Sequence, residues 1–247
     1  MNRPAFDTRV YQAAIFDMDG VVTQTATVHA RAWKATFDAL LEARSQARGE
    51  RFVPFDAEAE YLEHVDGLPR EEGVRRFLAA RGIELPEGEE DDPPGRASVR
   101  GLAREKDARV QRILDQDGVA VFPDWLERVH AWRTAGVRSA IVSSSRNCRR
   151  MIAAAGIEPL FDARVDGETA RALGLRGKPA PDLFLTAAKR LQVAPAQCAV
   201  FEDATAGVAA GAAGGFGLVV GVARHGQHER LRAHGAEITV TRLTELS

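Results

Sequence analysis

The sequence predicts an α/β fold: a parallel sheet with helices on both faces, and a small all-helical domain inserted after the first strand. Three observations carry this. Five short apolar runs, at 13–16, 139–142, 199–201, 218–222 and, more weakly, 238–240, read as buried strands. Helical patterns lie between several of them, and strand–helix–strand alternation builds a parallel sheet. Between Gly20 and Pro123 the pattern changes to helical spacing over 28–43, 70–81 and 102–114, with no convincing strand. That stretch is too long for a connection, so it reads as a domain of its own. The expected boundaries are 1–24 with 121–247 for the sheet domain and 25–120 for the helical one.

The elements follow in order. The first strand ends at Phe16. Within the helical insert, residues 86–101 are acidic and Pro-rich and read as an exposed loop. Trp125, Val129 and Trp132 have helical spacing, and Gly136 follows as a stop. The helix of 183–191 starts at Pro181-Asp182. Residues 204–223 carry no charge, a length that could span a bilayer. Gly and Ala dominate it, however, and Gly214-Gly215 breaks it, so it reads as a short packed helix followed by a strand containing Leu218-Val219-Val220.

Composition narrows the function. The 247 residues include 33 Lys and Arg against 35 Asp and Glu, a net charge of −2, which lacks the basic excess of a nucleic-acid binder. With 45% hydrophobic and 28% charged residues, the chain is globular rather than disordered. Cys148 and Cys198 cannot build a disulfide framework and read as reduced core thiols. The first residues show no apolar run of a secretory signal, so the expectation is a cytoplasmic protein with no membrane partner.

The sharpest chemical feature is Ile15-Phe16-Asp17-Met18-Asp19-Gly20. In extended chain, residues i and i+2 point the same way, so both carboxylates can face one site. The site would lie at the carboxyl end of the first strand, where open α/β sheets bind ligands. Alone, this pattern equally fits a strand end followed by an Asp-rich turn. Three later features add to it. Val142-Ser143-Ser144-Ser145 ends a strand in hydroxyls, Gly177-Lys178-Pro179 places a lone Lys before a helix, and Phe201-Glu202-Asp203 ends a third strand in two acids. Acids, a hydroxyl and a cation converging there suit a phosphoryl group and Mg²⁺. His225, His228 and His234 have a metal-like spacing but lie in a polar helix start, and no metal is assigned to them.

In this order the four motifs resemble those of the haloacid dehalogenase superfamily of phosphotransferases, across nearly the whole chain. A closer resemblance is to its β-phosphoglucomutase-like family. It is carried by residues 17–26 with His29, Arg31, Ala32, Trp33 and Lys34, by Gly67-Leu68-Pro69-Arg70-Glu71, by Ser143-Ser144-Ser145-Arg146-Asn147 and by Lys178-Pro179-Ala180-Pro181-Asp182. Gln24 departs from the family's usual Asp, Arg104 stands where Lys is frequent, and the acidic loop is long. The resemblance implies a Rossmann-like core, a helical cap that closes as a lid, and Asp17 as nucleophile with Asp19 as general acid and base. Ser143 and Lys178 would hold the transferring phosphoryl group. Asp17, the main-chain carbonyl of Asp19, Glu202 and Asp203 would hold Mg²⁺. Thr25, His29, Trp33, Gly67 and Arg70, with Ser144, Ser145, Arg146 and Asn147, would bind a small-molecule sugar phosphate, although Trp33 also has the spacing of cap packing.

The implied reaction interconverts β-D-glucose 1-phosphate and glucose 6-phosphate through an aspartyl phosphate and bound β-glucose 1,6-bisphosphate, the priming intermediate, in a monomer. The alternative is a sugar-phosphate phosphatase with the same nucleophile. A non-catalytic relative would have damaged motif acids, and a dehalogenase would not need Asp19. A P-loop nucleotidase is excluded by the missing glycine-rich motif.

Overall fold

A computed structural model describes residues 6–246; residues 1–5, on which the reading of the N-terminus partly rests, lie outside the described part. The chain divides into two compact units, Met1–Gln24 with Val119–Ser247, and Thr25–Gly118.

The second unit is helical. Its helices are α1 (Ala26–Arg48), α2 (Arg70–Ala80) and α3 (Val99–Asp117), with one π-helical turn at Tyr61–Val65. They bury an apolar cluster that includes Trp33, Phe37, Phe55, Val74, Phe77 and Leu102. Phe37 stacks on Phe77 with ring centroids 3.8 Å apart. Within the acidic loop, Asp92 is buried, accepts from Ser98 Oγ at 2.5 Å and pairs with Arg96 at 3.1 Å. Ser98 Oγ in turn accepts from the Gly101 N–H at 2.9 Å and caps α3. The loop is exposed over most of its length, as expected, and one carboxylate within it closes it onto a helix cap.

The first unit is the parallel sheet expected from the sequence. Its strands are β1 (Ala13–Asp17), β2 (Arg138–Val142), β3 (Ala163–Val165), β4 (Cys198–Glu202), β5 (Leu218–Val222) and β6 (Ile238–Val240). They lie in the order β3-β2-β1-β4-β5-β6, and every pairing is parallel. Its helices are α4 (Pro123–Thr134), α5 (Cys148–Ala154), α6 (Gly167–Leu173), α7 (Asp182–Leu191), α8 (Thr205–Ala213) and α9 (His228–Ala233). Every residue of β1, β4 and β5 is buried, which is why these strands read as unbroken apolar runs. On one face Phe16 and Phe201 pack with Trp132, the first pair 4.9 Å apart. On the other, Ile15 and Val200 join Leu183, Phe184 and Val208 in one cluster.

The uncharged stretch is α8 followed by β5. Gly211 lies so close to Val200 and Val219 that an added Cβ would meet them at 3.2–3.3 Å, so small residues let α8 lie tight on the sheet. No helix among the described residues is long and apolar enough to cross a membrane.

The strand order reverses at β1, which lies between β2 and β4. Chain leaving β1 runs to one side and later returns to the other, opening a crevice at the carboxyl ends of these three strands. Asp17 is level with Val142 of β2, and Phe16 with Phe201 of β4. This register brings Asp17, Ser143 and Glu202 to one edge.

Both cysteines are buried and free. Burial pushes the Cys198 thiol up to about 12 and holds the Cys148 thiol well above its usual value. Neither thiolate forms near neutral pH, so a disulfide-exchange reagent such as Ellman's should modify no thiol in the folded protein and two after denaturation. Rapid reaction of a thiol under native conditions would contradict this burial.

Candidate active site

Asp17 ends β1 and is buried. The loop before α7 brings Lys178 to it, through a cis Lys178–Pro179 bond. The ammonium donates to Asp17 Oδ1 and, at 2.5 Å, to Glu202 Oε1. The ring of Phe184, on α7, lies 5.1 Å from Lys178 Nζ. The other oxygen of Glu202 accepts from the Ala204 N–H at 2.8 Å. Carboxylate oxygens of Asp17, Glu202 and Asp203 all lie within 4.8 Å of one another.

After Asp17 the chain turns sharply. Met18 O accepts from the N–H groups of Val22 and Thr23 at 3.0 and 2.9 Å, and the Gly20 N–H donates to Thr23 O at 2.9 Å. Asp19 lies in this turn, half-buried. Gly20 has φ of 82°, and a Cβ there would fall on the Asp203 carboxylate. Gly207, at the start of α8, gives Glu202 the same clearance. Two glycines therefore make the space in which the last two acids approach the first.

Ser143 follows β2 and is buried; its N–H donates to Val165 O at 3.0 Å. Its Oγ accepts from the Ser145 N–H, and Ser145 Oγ from the Asn147 N–H, both at 3.1 Å. These two hydroxyl-closed turns shape the loop that leads into α5 and carries Ser144, Ser145, Arg146 and Asn147. Arg146 is exposed, 3.9 Å from Glu168.

The electrostatics follow from burial. Burial raises the Asp17 carboxyl well above the usual carboxylate range; Lys178 opposes this, and Glu202 and Asp19 add to it. Burial works against the charge on Lys178, but Asp17 and Glu202 outweigh it and raise its proton affinity. Two buried acids share one ammonium, and the half-buried Asp203 carboxylate lies beside them. Hard oxygen donors on a small scale, cleared of Cβ atoms by two glycines, fit a divalent cation such as Mg²⁺. Among the described residues, this is the one group of acidic, His or Cys side chains that could hold a metal ion. The three histidines near the C-terminus form no such group: His234 contacts Arg230 O, and His228 contacts Thr241 Oγ1.

The helical unit carries the other expected residues. Thr25 is buried before α1, and its carbonyl accepts from the His29 N–H at 2.9 Å. Gly67, with φ of 69°, lies in the turn before α2. Arg70, the first residue of α2, pairs with Asp107 at 2.7 Å. Trp33 is buried in the apolar cluster and stacks on Phe37 at 5.0 Å, the packing role its spacing suggests.

Sequence reasoning missed Lys106. The lysine next to His29 is two residues beyond Arg104, which instead reaches the Glu90 carbonyl. Lys106 Nζ lies 2.7 Å from His29 Nδ1 and 5.1 Å from the centre of the Trp33 ring, and both His29 and Lys106 are buried. An ammonium can only donate, so His29 Nδ1 accepts and the ring proton is on Nε2. No local signal marked the pair, since 77 residues separate the two.

The family description of haloacid dehalogenase-like hydrolases matches residues 11–215. The chain is 49% identical over 238 residues to a β-phosphoglucomutase of Mycobacterium tuberculosis, covering 95% of this chain and 91% of that one. It is 31% identical to a fructose-1-phosphate phosphatase of Escherichia coli, over 85% of this chain and 95% of that one. Its fold matches the crystal structure of a β-phosphoglucomutase from Clostridium difficile with a TM-score of 0.74 at 26% identity, over 96% of this chain and 93% of that one.

The Gly20 contact gives a direct test. Gly20→Ala should weaken Mg²⁺ binding, measured calorimetrically, by about 10–100-fold, because it displaces the Asp203 carboxylate. Gly49→Ala, at φ of 65° with nothing within 4 Å, is the control for backbone strain alone and should leave Mg²⁺ affinity unchanged. Equal affinities in both variants would remove Asp203 from the metal set.

Proposed function

The chain belongs to the haloacid dehalogenase-like hydrolase family and is an enzyme of it; from that premise we propose that it is a β-phosphoglucomutase. The reaction would be the Mg²⁺-dependent interconversion of β-D-glucose 1-phosphate and glucose 6-phosphate. The observation that carries this is the buried Asp17–Lys178–Glu202 cluster with Asp203, in a chain so similar along its length to a β-phosphoglucomutase.

In this reading the Asp17 carboxylate attacks phosphorus and the sugar oxygen leaves with a proton from Asp19. The resulting aspartyl phosphate splits one difficult transfer into two easier ones. In the second half, Asp19 takes the proton of the incoming hydroxyl, which attacks phosphorus and frees Asp17. The incoming hydroxyl belongs to a bound sugar monophosphate, so this second half makes β-glucose 1,6-bisphosphate, which stays bound and turns round to present its other phosphoryl group to Asp17 for the next transfer. Lys178 gives up its bond to Asp17 Oδ1 and holds a phosphoryl oxygen instead, and the Ser143 hydroxyl donates to another. Asp17, Glu202, Asp203 and the main-chain carbonyl of Asp19 would hold Mg²⁺. When bound, that ion offsets negative charge on the carboxylates and the phosphoryl oxygens.

The helical unit is the cap in this reading and contributes Thr25, His29, Gly67 and Arg70 to sugar-phosphate binding, while Trp33 packs its core. Ser144, Ser145, Arg146 and Asn147 of the sheet unit would take the distal phosphate. Arginine suits that role through its bidentate fork. The enzyme would act in the cytoplasm, as a monomer, on a free small molecule.

A second reading, a sugar-phosphate phosphatase, is favoured by the similarity to the fructose-1-phosphate phosphatase and by Arg70, whose guanidinium already holds the Asp107 carboxylate. There water would discharge the aspartyl phosphate.

One assay separates them: the protein with Mg²⁺, β-glucose 1-phosphate and a trace of β-glucose 1,6-bisphosphate, with glucose 6-phosphate and free phosphate measured in the same tube. We expect glucose 6-phosphate in large excess over phosphate, and Asp19→Ala should lower its formation by at least about 100-fold. Phosphate release without isomerisation would establish the phosphatase. Neither product would overturn the glucose assignment and direct the assay to other phosphate esters.

A further inference from the structure

The loop after β5 takes no part in the steps above, and its one conspicuous residue by sequence, His225, joins no metal group. In the sheet, β4 lies between β5 and β1. A side chain from this loop must therefore pass the end of a whole strand to reach the turn after β1. Arg224 does so. Its Nε donates to Gly20 O at 2.8 Å and its Nη2 to Val21 O at 3.1 Å. Nη1 donates to both carboxylate oxygens of Asp124, at 3.1 and 3.2 Å. The guanidinium lies over the Phe122 ring, 3.5 Å from its centre, and the side chain is only 10% exposed. Three residues further on, Gln227 Nε2 donates to the main-chain carbonyl of Asp203 at 3.4 Å.

One loop thus grips both walls of a narrow gap in the site. Gly20 and the Asp203 carboxylate approach so closely that no Cβ fits between them. Arg224 holds the carbonyl of the first, and Gln227 the carbonyl of the second. Asp124 in turn accepts from the Leu243 N–H at 2.7 Å, so the arginine is anchored on a fixed carboxylate. Only a planar fork can take two successive carbonyls and a carboxylate at once; an ammonium on a flexible stem supplies charge without that geometry.

We propose that Arg224 is a positioning residue that fixes the Asp17–Gly20 turn against Asp203, and so sets the placement of Asp19 and the spacing of the metal-binding oxygens. The inference rests on reading this cluster as the phosphoryl-transfer centre, and it adds a residue with no contact to the reacting atoms.

The test uses the full chain with Arg224→Met, Arg224→Lys and Asp124→Asn. Mg²⁺ binding is measured calorimetrically without substrate, kcat and KM with the phosphate ester the wild type turns over, and melting temperature alongside. Arg224→Met should weaken Mg²⁺ binding by about tenfold or more and lower kcat by about 10–100-fold, with KM changed less than about threefold. Arg224→Lys should recover part of the loss, and Asp124→Asn, which keeps both carbonyl contacts, should lose less than Arg224→Met. If Arg224→Met does not fold, Arg224→Lys against wild type decides on the same two readouts.

A lowered melting temperature with Mg²⁺ affinity and kcat within about twofold of wild type would overturn the proposal, leaving Arg224 a brace of the fold. Wild-type Mg²⁺ binding without turnover of any ester would defeat the functional reading. The positioning role would then stand or fall on Mg²⁺ affinity alone. No Mg²⁺ binding by the wild type would overturn both.

Discussion

The buried ammonium of Lys178, held between Asp17 and Glu202, is the interaction on which the rest of this structure depends. Taking such charges out of water costs several kcal/mol each, and only well-placed partners repay it. Their placement is a matter of strand register. Asp17 closes β1, Glu202 closes β4, and the parallel pairing of Phe16 with Phe201 brings the two ends level. Lys178 arrives from a different segment, and α7, which follows it, packs Leu183 and Phe184 into the cluster that holds Ile15 and Val200. A shift of one residue in either strand would turn its carboxylate to the opposite face of the sheet and strand the lysine. The apolar core and the polar cluster are therefore two consequences of one register.

The glycines belong to the same constraint. Helix α8 runs from the end of β4 over a Gly- and Ala-rich surface, and its first buried glycine, Gly207, faces the Glu202 side chain. At its other end Gly211 seats the helix on Val200 and Val219. The composition that could suggest a membrane segment is thus what a helix needs in order to lie close to a sheet whose neighbouring strand ends in acids. Gly20 does for Asp203 what Gly207 does for Glu202, and additionally uses a backbone conformation that favours glycine.

What was legible in the sequence follows from how local each signal is. β1, β4 and β5 are buried on both faces and stand out as apolar runs, whereas β3 is Ala163-Arg164-Val165, with only Val165 buried, and has no such run. The short helices α5 and α6, of 7 residues each, are too brief to show a period. In the site, Asp17 was legible because it ends an apolar strand, and Glu202 and Asp203 because they lie at the end of another; Asp19 lies in the turn after β1 rather than in extended chain. Lys106 and Arg224 were not legible. Each acts across the fold, on His29 and on the Gly20 turn, and a basic residue on a helix or in a loop carries no local mark of such a partner.

The nucleophile is common to a mutase and a phosphatase, so what separates them must lie in groups away from phosphorus. In the helical unit two such groups meet on adjacent residues of α3. Lys106 turns to His29 on α1, and Asp107 to Arg70 on α2. Neighbours on a helix point about 100° apart, so one short stretch of α3 can orient side chains on two other helices at once. The Asp107 carboxylate occupies Nη1 of Arg70, yet a guanidinium has five donors, and its other edge can still take a phosphate oxygen. The pair therefore aims the arginine as well as lowering its net charge. A distal phosphate would have to gain more from the remaining edge than it loses to the nearby carboxylate.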